Sequence, residues 1–359
     1  MNEPFQEPFG ELWRRPVVVA PMAGGPSTAE LVIAASSAGA LGFLAAGYKT
    51  AAAMRAEMDA VEASGSGPFG MNVFVPGAPA PDPEAVQSYV AGLAAEAGAL
   101  GVQLAEPRWT DDDWDAKIAA LVDHPPAVVS FTFGCPDPGI VAALQAAGSV
   151  VWVTVTEPDE AALAAGRGVD GLCVQGAGAG AHRGTFTDGP HGVPANAQGV
   201  PANAQGPPDY PLPRLLRAIA EVTGLPLIAA GGIMSQHDAA AALAAGAVAV
   251  QCGTAFLRCP ESGAHPLHKA ALADPRFTRT GVTRAFSGRP ARGLVNRFML
   301  DHPDAPSAYP EVNSATRPLR AAAAAAGDAD RMSLWAGTGF RAAAPRPAAE
   351  IVEHLCPAG

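Results

Sequence analysis

Lysine is nearly missing from this 359-residue chain: Lys49, Lys117 and Lys269 stand against twenty arginines. Charge of either sign is sparse, at 16% of residues, and acids outnumber bases to leave a net charge of −11. An acidic surface repels nucleic acid and anionic membrane, so neither is expected as a main partner. Arginine in place of lysine, beside so much alanine, glycine and proline, reads as GC-rich codon usage, not function. Cysteine is scarce too. Cys135, Cys173, Cys252, Cys259 and Cys356 are odd in number and contain no CxxC pair. A disulfide framework and a structural zinc site are therefore both poorly supported. Nor is there a run of about 18 apolar residues, the length that would mark a membrane span. The first fifteen residues are polar, with Glu3, Glu7 and Glu11, and show no signal peptide. The expected location is the cytoplasm.

Apolar residues, by contrast, make up 49% of the chain. That suits a folded α/β enzyme of one large or two smaller domains and excludes a disordered chain. A local phrase recurs: an alanine-rich helical stretch, then Ala-Gly, then an apolar run. It occurs at Gly39, Gly98, Gly148, Gly166 and Gly246. A helix closed by a left-handed glycine and followed by a buried strand, repeated, builds βαβ units and a parallel sheet. The expected strands are 17–20, 41–44, 69–74, 127–132, 150–155, 171–174, 227–230 and 247–251. Eight parallel strands in about 250 residues fit an α/β fold of the (β/α)8 TIM-barrel type. A doubly wound sheet competes, but glycine turns after several strands favour the barrel. The expected organisation is a barrel over 1–258, a smaller, mostly helical C-terminal cap over 259–342, and a closing helix and tail over 343–359. A perfect tandem repeat, Gly-Val-Pro-Ala-Asn-Ala-Gln twice over, runs from Gly192 to Gln205. It reads as a tolerant loop that duplicated by slippage, or as a lid beside His182.

The chemistry is expected at strand ends. Pro21-Met22-Ala23-Gly24-Gly25, following Ala20, can form a flat shelf for an aromatic ring or simply a tight turn. Asn72 ends the third strand, where an amide can meet a heterocycle edge or bond neighbouring backbone. Gln175 through Gly184 follows the sixth strand, with three glycines before His182 and a fourth, Gly184, after it. His182 could act as a base, orient substrate or hold negative charge. Ala230-Gly231-Gly232-Ile233 and Gln251-Cys252-Gly253-Thr254 end the seventh and eighth strands, where barrels often build a phosphate site. Cys135, after the fourth strand, has no evident base and reads as an inert wall residue. His265 and His268 lack an acid or thiol partner, so no metal is expected.

Together these blocks resemble the nitronate monooxygenases, formerly the 2-nitropropane dioxygenases, over most of the chain. The resemblance extends to Ser287-Gly288-Arg289-Pro290-Ala291-Arg292, to Tyr309-Pro310 through Pro318-Leu319-Arg320, and to Trp335-Ala336-Gly337, and is most specific for the bacterial class I type. It implies FMN held by Asn72, Gln175, Gly180, Gly232, Gln251, Cys252, Gly253 and Thr254. Ala20, Met22, Ala23 and Gly231 complete the expected cofactor set. It implies His182 as the catalytic-site histidine and Tyr309 on the substrate side. The implied reaction oxidises an alkyl nitronate, of the propionate 3-nitronate type, with O2 to a carbonyl compound and nitrite, a nitroalkane detoxification. Departures occur at Gly178, where an acid is usual, at Ala181, where a glycine is usual, and at Thr338, where glutamine is common. The competing readings are an NAD(P)H-dependent FMN reductase of quinones or enoyl-acyl carrier protein, and a non-catalytic flavin- or metabolite-binding barrel. Either a monomer or a homodimer is compatible with the sequence.

Overall fold

A computed structural model describes residues 9–187 and 211–356. The tandem repeat lies outside the described residues, and with it the lid reading. Strand and helix alternate as β1 (Val17–Val19), α1 (Ala29–Ser37), β2 (Leu41–Ala45), α2 (Ala51–Ser64) and β3 (Phe69–Phe74). An insertion follows, with α3 (Pro83–Gly92), α4 (Ala94–Ala99) and an irregular strap to α5 (Trp114–Asp123). Alternation resumes with β4 (Val128–Thr132), α6 (Pro138–Ala147), β5 (Val150–Val155), α7 (Pro158–Gly166) and β6 (Gly171–Gln175). Then come the short β7 (Ala181–His182), α8 (Leu212–Ala220), β8 (Leu227–Ala230), α9 (Gln236–Ala244) and β9 (Ala249–Cys252).

Strands β1-β2-β3-β4-β5-β6-β8-β9 close into a parallel barrel, β9 pairing with β1 at Val17↔Val250. All eight expected strands form, with only their ends moved. They are legible because each is apolar on both faces, as a strand between a filled barrel and a helical ring must be. Alternation then sorts the side chains. Val17, Val19, Met71, Val129 and Val250 pack outward against the helices. Val18, Leu41, Phe43, Val128, Trp152, Ile228 and Ala249 point inward and plug the N-terminal end, joined by Trp13. Gly70 makes room for this plug: a Cβ there would lie 2.3 Å from the Phe43 ring.

The helix-ending glycines behave as expected at Gly148, which caps α6 at φ 108°. At two places the reading is corrected. Gly98 and Gly166 stay helical, and the left-handed turns fall on Gly101 (φ 69°) and Gly168 (φ 81°). Alanine-rich helix tolerates one more turn, so the second available glycine takes the unusual angle. Gly101 also leads into the strap and α5, not directly into a strand.

Beyond Cys259 lie α10 (Pro266–Ala271), β10 (Thr280–Thr283), β11 (Ala291–Leu294), α11 (Arg297–Asp301) and α12 (Glu311–Ala325). Strand β11 pairs antiparallel with β10 and with β7, forming a three-stranded sheet that the pattern of apolar runs does not suggest. Helix α13 (Ala348–Leu355) packs back on α1 and α9. Among the described residues no helix is long and apolar enough to cross a membrane.

Candidate active site

Above the hydrophobic plug the barrel interior turns polar. Asn72 Nδ2 donates to Ser130 Oγ (2.8 Å), Ser130 O (3.2 Å) and Thr132 Oγ1 (3.1 Å), and Thr132 and Thr154 share a hydroxyl contact at 3.3 Å. Both amide protons of Asn72 are thus used by β4. Its carbonyl oxygen is the part left for a ligand. Gln175, at the end of β6, uses both ends of its amide on the following loop and keeps one N–H and one lone pair free. Its Nε2 donates to His182 O (3.0 Å) and its Oε1 accepts from Gly184 N (2.9 Å). Its side chain therefore shapes the loop that carries His182. Gln251 Nε2 reaches Cys173 Sγ at 3.2 Å inside the barrel. Cys252 turns its thiol into the helix-facing layer, so only its backbone could face the mouth.

The ends of β8 and β9 carry the strongest donor set. Gly231 and Gly232 take φ of 111° and 76°, which turns successive peptides in a way an L side chain resists. The backbone N–H groups of Gly231, Gly232, Ile233, Gly253, Thr254 and Ala255 donate to no acceptor among the described residues. Unpaired amides at two neighbouring strand ends are a ready site for an anionic group such as a phosphate. The β1 loop closes beside them: a Cβ on Gly253 would sit 3.5 Å from Ala20 Cβ and from Met22 Sδ. Ala23 lies in the same half-buried loop.

Gly180 has a different reason to be glycine. A Cβ there would come within 2.6 Å of Ala336 C and Gly337 N. The Trp335–Thr338 segment lies directly on the glycine loop, held by Gly337 N to Thr254 Oγ1 (2.9 Å) and Thr338 N to Gly178 O (3.0 Å). Ala181 sits at φ 62°, strained for a side chain, because β7 must pair its neighbour His182 with Ala291.

His182 lies in an aromatic cage. Its ring centroid is 5.8 Å from Phe133, 5.5 Å from Tyr309 and 5.6 Å from Trp335. Nε2 is 2.9 Å from Ser287 Oγ, and Nδ1 has no hydrogen bond among the described residues. Its pKa is pushed down to about 3, first by burial and then by the charges of Arg289 and Arg320. The ring is neutral at physiological pH, so it does not hold an anion by charge. Tyr309 donates to Tyr48 Oη at 3.1 Å, and burial raises both phenols above their usual range. Tyr48 is held in turn: its N–H donates to Asp112 Oδ1 (3.0 Å), whose Oδ2 lies 2.8 Å from the fully buried Lys117 Nζ. A cleft of about 1300 Å3 opens over Tyr48, Phe74, Phe133, Arg289 and Tyr309.

Every expected site residue lies at the C-terminal end of the barrel. Cys135 is buried near Arg167, which binds its carbonyl, and burial pushes the thiol up to about 11. His265 caps α10 and His268 donates to Trp335 O at 3.0 Å, so both have structural partners. Pattern reading missed Tyr48 and Phe133 as candidate site residues, and passed over Ser287, Arg289 and Arg320 except as parts of longer blocks. Tyr48 and Phe133 did carry a signal, since Phe133 directly follows β4 and Tyr48 comes three residues after β2.

A family model described as nitronate monooxygenase matches residues 8–358. The nitronate monooxygenase of Pseudomonas aeruginosa is 39% identical over 351 residues, with 95% of each chain covered. A probable nitronate monooxygenase of Bacillus subtilis is 33% identical over 361 residues, covering 99% of this chain and 98% of the relative. Among solved structures, a nitroalkane oxidase from Streptomyces ansochromogenes has a TM-score of 0.89 at 47% identity, covering 96% of this chain and 95% of that one. FabK from Thermotoga maritima, with a TM-score of 0.68 at 23% identity and 96% and 92% coverage, shares the fold alone. Barrel, strand-end donors and near full-length similarity agree, and the chain belongs to the nitronate monooxygenase family.

Proposed function

We propose that this protein is an FMN-dependent enzyme that oxidises alkyl nitronates with O2 to a carbonyl compound and nitrite. The reading rests on one juxtaposition: two strand ends with unpaired amides share a barrel mouth with a neutral histidine in an aromatic cage. The family is one of flavoproteins. The donor set suits FMN in particular, because a phosphate needs several convergent N–H groups and the β8 and β9 ends offer them. Gly232, Gly253 and Thr254 would hold the phosphate, with Ala20, Met22, Ala23, Gly180, Gly231 and Asn72 beside the ring. Gln175 would support this set through the His182 loop, and Gln251 and Cys252 through barrel packing and backbone. Bound FMN supplies the one-electron acceptor between nitronate and O2.

The remaining steps belong to the chain. Substrate enters the cleft past Tyr48 and Tyr309. Phe133, Tyr309 and Trp335 exclude water and fix the imidazole against it. His182 holds its tautomer through Ser287 and presents the other ring nitrogen to the substrate. A base whose pKa is about 3 has little driving force to take a proton from carbon. The site therefore favours the ready-made nitronate over the neutral nitroalkane. The barrel mouth is the common ground with flavin reductases, and the aromatic cage gives no support to a nicotinamide-dependent reading.

The test is a visible spectrum of purified protein before and after anaerobic addition of an alkyl nitronate, then nitrite assay in air. A yellow protein that bleaches or shifts and then releases nitrite is expected. His182→Gln should keep the colour and lose about 10²-fold in kcat/KM. A colourless protein that refuses added FMN, or rapid bleaching by NADPH without oxygen, would sink the reading.

A further inference from the structure

We propose that Arg320, seconded by Arg289, is the fixed positive charge that selects an anionic substrate at His182. The proposal rests on the nitronate reading above and names the residue that makes it electrostatically possible.

The difficulty for an anion here is concrete. The chain carries a net charge of −11, and Glu106, Asp111, Asp112 and Asp113 all line the cleft. His182 is neutral and cannot offset them. Arg108 and Arg317 also line the cleft but are exposed to solvent, and the nearby lysines are already committed. Lys49 binds Glu57 at 2.6 Å, and Lys117 lies 2.8 Å from Asp112. Arg320 is different. Its Nη2 donates to Asn313 O and Oδ1, both at 2.9 Å, and no carboxylate lies within ion-pair distance among the described residues. Its Nε is shut off from solvent and donates to nothing. A guanidinium partly shielded from water without a counter-charge is costly, and burial lowers its own pKa to about 10. The cost is offset if an anion arrives.

Arg320 is placed to act. It rides on α12, the helix that begins beside Tyr309, and its charge is felt at Tyr48, Tyr309 and His182. Asn313, which anchors it, lines the cleft. Arg289 adds a second cation, its Cζ 4.1 Å above the Phe133 ring. Its Nε and Nη2 are fixed by the carbonyls of Arg183 and Thr185. Both cations are preorganised, and their field favours a negative substrate over a neutral one of the same shape. A purely structural Arg320 would only tie α12 together near Pro318.

The experiment titrates purified flavin-loaded protein with nitrate, a planar monovalent anion shaped like a nitronate head, by calorimetry. Arg320→Met should weaken nitrate at least about tenfold, and Arg320→Lys should stay within about threefold, because it keeps the charge but loses the fork. Affinity of a neutral nitroalkane should be unchanged in both. In the wild type, nitrate affinity should be flat between about pH 6 and 9, where a guanidinium does not titrate. The groups facing the site are His182, Tyr48, Tyr309, Arg289 and the Lys117-paired Asp112, with Glu106, Arg108, Asp111, Asp113 and Arg317 along the cleft. Unchanged nitrate binding in folded Arg320→Met would overturn the proposal. So would a wild-type affinity that falls tenfold as pH rises through about 6.5, which would assign the charge to His182. If Arg320→Met does not fold, the wild-type pH profile and Arg320→Lys decide. Nitrite release from a nitronate is measured separately, so failure of the reaction and failure of the anion site are distinguishable.

Discussion

Ser287 has one hydroxyl proton and two claimants for it: Arg289 O at 3.2 Å and His182 Nε2 at 2.9 Å. If the carbonyl takes it, His182 must donate from Nε2 and Nδ1 becomes the acceptor. Either way Ser287 fixes the ring, so Ser287→Ala should lower kcat/KM by about tenfold with flavin content unchanged, measured by nitrite release and visible absorbance. The thiols are a contrast. Burial pushes Cys135 up to about 11 and Cys173, Cys252 and Cys259 to about 12, which leaves them unreactive near neutrality. Native protein at about pH 7.5 should show one fast thiol toward a disulfide reagent, Cys356, the half-exposed one. Cys356→Ser should remove that phase, and a second fast thiol would show that a buried cysteine is reached. At this scale His182 was legible because four glycines flank it, three before and one after. Arg320 was not, since its meaning lies in the absence of a nearby carboxylate, which only packing reveals.

At the scale of elements, the strands of the barrel and the strand that carries His182 form for different reasons. Strands β1 to β6, β8 and β9 announce themselves by runs of valine, leucine and alanine. Strand β7 has two residues and no period to read. It exists because β11 offers an edge at Ala291 and Arg292. The same interaction brings the cap onto the barrel mouth. Gly180 tests it. Gly180→Ala should force the Trp335–Thr338 segment off the glycine loop, breaking the 2.9 Å bond from Gly337 to Thr254. Flavin affinity should fall about tenfold or more, read by flavin fluorescence on dilution. Gly139→Ala in α6, where a Cβ meets nothing within 4 Å, should leave flavin affinity unchanged and raise the urea midpoint slightly. Equal effects in the two variants would refute the close-packing account.

The whole molecule separates stability from chemistry along the barrel axis. Trp152, Phe43, Trp13 and Ile228 fill the N-terminal end, while the polar layer and the cage occupy the other. Two buried imidazoles link the cap to pH. Their folded pKa values fall from the usual 6.5 to about 3 for His182 and about 4 for His268, mainly through burial. The unfolded chain takes protons at these sites that the folded chain refuses. Their contribution to stability is therefore complete above pH 6.5 and is lost progressively as pH falls toward 4. Urea midpoints measured down this range should decline, and His268→Gln, which keeps a donor toward Trp335, should flatten part of the slope. By itself the sequence determined the barrel, its eight strands and the strand-end glycines, because both-face burial and helix-ending turns leave a local trace in residue type. Tertiary structure alone decided which groups carry charge. The imidazole is neutral because aromatic rings and two guanidiniums surround it, and residues from position 48 to position 335 meet there only once the chain has closed.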